Sequence, residues 1–239
     1  MKEATIESLR ERFRGKTPGE ILAHALGTFH PAIAVASSFS KEDIALTAMA
    51  VEIRPDARVF ALDTGRLNEE TYEVAEAVRR ISGVRIEWYF PDRDAVEALE
   101  RGKGPYSFRE SLENRHECCG IRKVEPLSRA LSGLKAWITG QRREHGVTRT
   151  DISIVEIDGA HGGILKLNPL AEWTTEQVDR FLRDRGLPYN RLHDAGYPSI
   201  GCAPCTRAVR PGEDPRAGRW WWERPEQKEC GLHPRTGKE

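Results

Sequence analysis

Ala32-Ile33-Ala34-Val35-Ala36-Ser37-Ser38-Phe39-Ser40-Lys41-Glu42-Asp43 is the stretch that decides the fold. Ala32 to Ala36 is short, apolar and built of small residues, which predicts a buried strand. Ser37 to Ser40 is a polar turn. Lys41 to Glu52 then carries Ile44, Ala45, Ala48 and Met49 at helical spacing. A strand that feeds a helix through a hydroxyl-rich turn is the building unit of an α/β fold. Such a junction offers hydroxyls and helix N-terminal amides to a phosphate, although a plain serine-capped turn explains the same residues. It lacks the Gly-rich spacing and terminal Gly-Lys-Ser/Thr of a Walker A loop.

The pattern repeats outward from this unit. Residues 18–27 predict a helix with Pro18 at its start. Arg58 to Leu62 predicts a second strand, ended by Asp63-Thr64-Gly65, and Asn68 is placed to cap a helix reaching about Ile81. Val84 to Phe90 predicts a third strand, Ala95 to Arg101 a short helix, and Leu134 to Thr139 a strand ending in Gly140-Gln141-Arg142-Arg143. Ile152 to Ile157 and Gly163 to Leu167 add two strands around an Asp158-Gly159 turn, and Thr174 to Arg185 a helix stopped by Gly186. The alternation argues for a mainly parallel sheet flanked by helices. Ligands of such sheets sit beyond the carboxyl ends of the strands, where the turns at Ser37–Ser40, Asp63–Gly65 and Gly140–Arg143 would meet.

Lys+Arg and Asp+Glu both number 37, which argues against bulk nucleic-acid binding and leaves anion recognition to local clusters. Arg142, Arg143, Arg207, Arg210, Arg216 and Arg219 are the candidates, since guanidinium groups bind oxyanions in bidentate fashion. No apolar run is long enough to span a membrane, and Met1 to Gly15 is charged from the start, without a secretory h-region.

The 5 cysteines fall as Cys118-Cys119, Cys202-Ala203-Pro204-Cys205 and Cys230. An odd number with an adjacent pair is a poor disulfide framework, so a reducing cytoplasm fits better. A Cys-x-x-Cys turn lets two thiolates face one metal. Adjacent cysteines on a helix or turn suit two irons of one cube better than a single zinc. An iron–sulfur cluster, zinc, and plain burial or thiol chemistry all stay open on spacing alone. Cys230 has Lys228, His233 and Arg235 near it to favour a thiolate and Glu229 to oppose one. From Gly196 the chain is rich in Gly, Pro, Arg and Trp without periodicity. We divide it into residues 1–210, a nucleotide-binding domain holding the paired cysteines, and 211–239, a C-terminal segment carrying Cys230 that folds over the site. Trp220-Trp221-Trp222 serves as a hydrophobic anchor or a ligand stack.

These residues resemble the assimilatory, thioredoxin-dependent adenylyl-sulfate (APS) reductases within the PAPS reductase family. The resemblance runs from about Ile21 to His233. It rests on Ser37-Ser38-Phe39-Ser40, Leu62-Asp63-Thr64-Gly65, Cys118-Cys119-Gly120-Ile121-Arg122-Lys123, Ile138-Thr139-Gly140-Gln141-Arg142-Arg143, Lys166-Leu167-Asn168-Pro169-Leu170, Gly196 to Thr206, and Glu229-Cys230-Gly231-Leu232-His233. It implies an adenine nucleotide alpha-hydrolase-like fold and one [4Fe–4S] cluster on Cys118, Cys119, Cys202 and Cys205. Members restricted to the 3′-phosphorylated nucleotide lack those pairs, so their presence implies APS as substrate. Ser37, Ser38, Phe39, Ser40, Leu62, Asp63, Thr64 and Gly65 would line the nucleotide pocket, with Arg142 and Arg143 nearby. Lys123, Arg216, Arg219 and His233 would surround the phosphosulfate.

The implied reaction is attack of the Cys230 thiolate on the APS sulfur, release of AMP, and clearance of the cysteine S-sulfonate by thioredoxin. Cys230, Lys123 and His233 are the catalytic candidates; APS and thioredoxin are the implied partners, with homo-oligomerisation left open. The rivals are a PAPS or dual-specificity reductase, an ATP-pyrophosphatase-like sulfur-transfer enzyme, and a zinc-binding module. The sulfur-transfer enzyme needs an SGGxDS-like loop where Ser37 to Asp43 stands.

Overall fold

The computed structural model describes residues 3–145, 152–224, 228 and 232. In chain order its helices and strands are α1 (Glu3–Phe13), α2 (Pro18–Phe29), β1 (Ile33–Ala36), α3 (Lys41–Ile53), β2 (Arg58–Leu62), α4 (Glu69–Ser82), β3 (Ile86–Tyr89), α5 (Arg93–Lys103), α6 (Leu112–Cys119), α7 (Glu125–Leu131), β4 (Ala136–Ile138), β5 (Val155–Asp158), β6 (Ile164–Leu167) and α8 (Thr175–Asp184). Among the described residues no helix is long and apolar enough to cross a membrane. The chain divides into two compact units. One comprises Met1–Ala61, Glu70–Glu87 and Gly133–Asn190; the other comprises Leu62–Glu69, Trp88–Ser132 and Arg191–Glu239.

The first unit carries the sheet, whose 6 strands run in the order β3-β2-β1-β4-β6-β5. β1 pairs in parallel with β2, Val35 opposite Val59, and with β4, Ala34 opposite Trp137. β4 pairs in parallel with β6, and β5 returns antiparallel along β6 with Ile157 opposite Leu165. The expected mostly parallel sheet is therefore present, with one antiparallel hairpin closed through the expected Asp158-Gly159 turn. Central strands covered on both faces must be apolar throughout. Ile33, Ala34, Val35, Ala136, Trp137 and Ile138 accordingly are all buried. Helix starts follow the capping rules. Thr17 and Glu20 form a capping box ahead of Pro18, and Thr174 with Gln177 does the same for α8.

The second unit is built around a helical segment with no simple apolar stripe. α6 begins at Ser111, whose hydroxyl accepts the Asn114 amide at 3.1 Å. It carries Cys118 and Cys119 in its last turn and continues through a π-helical turn, Gly120–Val124, into α7. The wider turn is visible in the Glu125 amide, which reaches back to the Gly120 carbonyl. Its buried face holds Arg115, Cys118, Cys119, Arg122 and Lys123, so polar residues fill positions an ordinary helix gives to leucine.

Candidate functional site

In the sheet-bearing unit the candidate site begins at the carboxyl end of β1. The Ser37 amide still belongs to the sheet, donating to the Phe60 carbonyl at 2.8 Å. The chain then turns sharply. Phe39 has φ 60°, in the left-handed region that costs a bulky side chain conformational energy. It is nevertheless buried, so surrounding contacts hold it there. Ser40 caps α3 by accepting the Asp43 amide at 3.2 Å. Asp43 answers from inside the helix: its Oδ2 accepts both the Ser38 amide and the Ser38 hydroxyl at 2.7 Å. Burial pushes the Asp43 carboxyl above its ordinary range, and the Ser38 hydrogen bonds work in the opposite direction.

The amides of Ser37, Ser38 and Phe39 thus all donate within the protein, the last to the Ser37 hydroxyl at 3.2 Å. The turn's remaining donor capacity lies at the start of α3, where the first amides have no carbonyl of their own helix to reach. Gly140, at the end of β4, lets this corner close. A Cβ there would stand 2.4 Å from Asp43 Oδ1 and 2.7 Å from Glu42 Cβ. Gly140→Ala is therefore expected to destabilise the chain by about 2 kcal/mol through overpacking. Urea unfolding checks this; a midpoint equal to the parent's would refute the close approach.

Arg142 and Arg143 occupy this unit too, and their donors are engaged within it. The Arg142 guanidinium is buried against Glu42 at 2.8 Å, Glu144 at 3.0 Å, the Trp173 carbonyl at 2.9 Å and the Thr175 hydroxyl at 3.1 Å. It ties the start of α3 to the start of α8. Arg143 pairs with Glu172 and the Ile152 carbonyl. Thr139 and Asn168, from two of the motifs, meet in a buried hydroxyl–amide hydrogen bond.

In the second unit, Asp63, Thr64 and Gly65 follow β2. Asp63 closes its own turn, Oδ1 accepting the Gly65 amide at 2.7 Å. The strip after it is fastened to the Cys202 loop: Thr64 Oγ1 lies 3.2 Å from Cys202 Sγ, the Ala203 amide donates to the Arg66 carbonyl at 2.8 Å, and the Asn68 amide group donates to the Gly201 carbonyl at 3.1 Å. Arg122 secures the same strip from the π-turn, donating to the Thr64 carbonyl at 2.8 Å and to Glu100 at 2.7 Å. Arg66 pairs with Glu100 as well. Neither Arg122 nor Glu100 was singled out from sequence. Arg122 lies in the Cys118–Lys123 motif, which was its only signal.

Cys118, Cys119, Cys202 and Cys205 do gather, in a buried cluster with Leu99, Phe108 and Trp220. The expectation of a [4Fe–4S] cluster on them is nevertheless corrected. Among the described residues, no group of three or more His, Cys, Asp or Glu side chains is arranged so that it could hold a metal ion. All four are free cysteines. Burial pushes Cys205 up to about 12 and raises Cys118 also. Cys202 differs. Burial opposes its ionisation, but Lys123, the Thr64 hydroxyl, Arg219 and Arg122 outweigh it and bring the thiol below its ordinary range.

Lys123 and Arg219, two of the residues assigned to the phosphosulfate, are buried and brought together on one aromatic ring. Lys123 Nζ lies 5.7 Å and the Arg219 guanidinium carbon 4.7 Å from the centroid of Trp220. Arg216 donates to the Lys228 carbonyl at 2.9 Å. Cys230 and His233 lie outside the described residues.

Comparison with known proteins gives concordant matches. The family model of the phosphoadenosine phosphosulfate reductase domain matches residues 32–208. The adenosine 5′-phosphosulfate reductase of Allochromatium vinosum is 52% identical over 203 residues, covering 85% of this chain and 79% of that protein. The Burkholderia cepacia protein of the same name is 47% identical over 99% of this chain and 94% of its own length. The chloroplastic 5′-adenylylsulfate reductase 3 of Arabidopsis thaliana is 49% identical, and this chain spans 52% of its length. Among solved structures, phosphoadenylyl-sulfate reductase from Candida auris superposes with a TM-score of 0.75 at 25% identity, over 87% of this chain and 98% of that one.

Proposed function

The chain belongs to the phosphoadenosine phosphosulfate reductase family, and on that premise we propose that it reduces adenosine 5′-phosphosulfate to sulfite and AMP in sulfate assimilation, with reduced thioredoxin as electron donor. The observation that carries this reading is the 47% identity to the Burkholderia cepacia APS reductase over nearly the full length of both chains. Identity to the Candida auris PAPS reductase is about half as great.

In this reading Cys230 is the nucleophile. Its thiolate attacks the sulfate sulfur, the bond to the AMP oxygen breaks, and AMP leaves with the electron pair. The enzyme is left as a cysteine S-sulfonate. A thioredoxin thiolate then attacks the Cys230 sulfur and expels sulfite. The second thioredoxin thiol resolves the mixed disulfide, so the dithiol supplies both electrons and Cys230 returns as a thiol. The first step brings two anions together. Lys123, Arg216 and Arg219 offset that charge, and His233 orients a sulfate oxygen or holds Cys230 ionised. Ser37 to Ser40 and Leu62 to Gly65 take the nucleotide, with Arg142 and Arg143 nearby. In support of Lys123 and Arg219, both are buried cations. Arg142 braces the starts of α3 and α8, its donors engaging Glu42, Glu144 and Thr175. The segment 211–239 is assigned to closing over bound substrate and opening for thioredoxin, and the reaction to the cytoplasm.

Turnover of purified protein on APS and on its 3′-phosphorylated analogue, with reduced thioredoxin and sulfite as the readout, tests the reading. Sulfite from APS with at least about tenfold lower kcat/KM on the analogue is expected, a discrimination of about 1.4 kcal/mol. Sulfite from neither substrate would overturn the assignment.

A further inference from the structure

Lys228 stands two residues before the assigned nucleophile, in a stretch where a lysine would ordinarily be a hydrated surface cation. It is instead partly buried, and its backbone and its side chain are both fastened to one turn. The Lys228 carbonyl accepts from the Arg216 guanidinium at 2.9 Å, and the Lys228 ammonium donates to the Ala217 carbonyl at 3.2 Å. Burial, with Arg207 and Arg216 nearby, holds the ammonium below the usual lysine range; Asp214 and Glu223 oppose this. An ammonium that gives up water for a neutral carbonyl gains little stability by the exchange. What the contact does supply is placement.

The turn that receives Lys228 is firmly built. Pro211-Gly212-Glu213-Asp214-Pro215 is a run of turn-forming residues. Asp214 Oδ1 accepts the Arg216 amide at 2.7 Å, and the Asp214 carbonyl accepts the Ala217 amide at 2.8 Å. Arg207 holds the turn from the neighbouring stretch. Its guanidinium pairs with Glu213 at 2.8 and 3.1 Å, and its amide donates to the Gly218 carbonyl at 3.0 Å. Gly218 is required by that approach, because a Cβ there would stand 2.2 Å from the Arg207 carbonyl oxygen. Thr206 and Arg219 continue the pairing as an antiparallel bridge. Residues 213–219 are thus pinned to 206–207, and Lys228 is fastened to them at two points. Two peptide units reach at most about 7 Å, so a displacement of Lys228 is passed on to Cys230.

We propose that Lys228 is a positioning residue which, through its two contacts with the 216–217 turn, sets the approach of Cys230 to the sulfate sulfur. The proposal rests on the functional reading above and deepens it. On charge alone, Lys228 would act by favouring the Cys230 thiolate; with its ammonium committed to the Ala217 carbonyl, it acts on where the thiolate stands. A nucleophile misplaced by about 1 Å loses rate steeply while substrate affinity is untouched. Lys228→Met keeps the length of the side chain and removes its donor. It is expected to slow S-sulfonate formation about tenfold, with AMP affinity within about threefold of the parent. Lys228→Arg keeps a donor for Ala217 and is expected to stay within about threefold of the parental rate.

The experiment is single-turnover S-sulfonate formation by the full chain and both variants, with saturating APS, no thioredoxin and mass spectrometry as the readout. AMP binding by calorimetry and the pH midpoint of Cys230 alkylation are measured alongside. Slow sulfonation in Lys228→Met, recovery in Lys228→Arg, and an alkylation midpoint within about 0.3 pH units of the parent support the proposal. Equal sulfonation rates in Lys228→Met and the parent overturn it. A slow rate accompanied by an alkylation midpoint raised by about one unit also overturns it, since Lys228 would then act by charge. Failure of Lys228→Arg to recover, or a loss of AMP affinity matching the loss of rate, does the same. Absence of S-sulfonate from the parent chain is a separate result: it overturns the functional reading, and with it the step that Lys228 is proposed to position.

Discussion

Replacing Cys230 by serine abolishes sulfite release from APS, by a factor on the order of 10⁴ or more, while the nucleotide still binds. A serine hydroxyl is not ionised at neutral pH and has no adjacent base assigned to it, whereas a thiol is partly ionised already and is the stronger nucleophile. The other 4 cysteines are buried, packed with Leu99, Phe108 and Trp220. On the proposed reading, the sulfur that thioredoxin clears is that of Cys230. Mass spectrometry after a single turnover without thioredoxin should find an S-sulfonate on the parent and none on Cys230→Ser. Calorimetry should give the variant an APS affinity within about threefold of the parent, since uniform binding does not require the nucleophile. A stable sulfonated adduct on the serine variant, or sulfite at a tenth of the parental rate, would end the assignment.

The elements legible in the sequence are those whose burial is apolar. β1 could be found from Ile33, Ala34 and Val35, a short continuous apolar run, and α3 from Ile44, Ala45 and Met49 at helical spacing. The Ser37–Ser40 turn was found for the same reason, as a polar break between two such runs. The segment 112–124 was not. Its inner face is Arg115, Cys118, Cys119, Arg122 and Lys123. A periodicity rule looks for leucine at those positions, and buried ion pairs are invisible to it. Arg115 is paid for by Glu223, 108 residues further along the chain. Arg142 illustrates the complementary difficulty. Its type and its place after a strand marked it as an anion contact, yet Glu42 and Thr175, from distant parts of the sequence, take its donors. The four paired cysteines lie in one buried cluster, but the metal centre expected on them is not supported among the described residues. Their spacing did not reveal that the enclosing Leu99, Phe108 and Trp220 would favour the protonated thiol at Cys118 and Cys205.

Arg115→Met should destabilise the chain by about 3–5 kcal/mol, the largest stability effect expected of any exchange considered, because it strands a buried carboxylate. Arg115 is 0% exposed and the Glu223 side chain 7%, and their two parallel hydrogen bonds make a fork-to-fork pair. Burial alone would disfavour the Arg115 charge; the hydrogen bonds and charge of Glu223 outweigh it and raise the guanidinium above its ordinary range. Removing the arginine also removes one cation from the Trp220 ring, 4.7 Å away. The destabilisation therefore has two parts, and a double-mutant cycle separates them. Glu223→Leu alone leaves the buried Arg115 charge without its carboxylate and should cost a similar amount. The double variant Arg115→Met with Glu223→Leu strands no charge, and is expected to recover all but about 1–2 kcal/mol of the loss, the residue being the missing cation–π contact. Urea unfolding of the four chains gives the coupling energy directly. Additive losses in the double variant would show that the two side chains are held by their neighbours and not by each other.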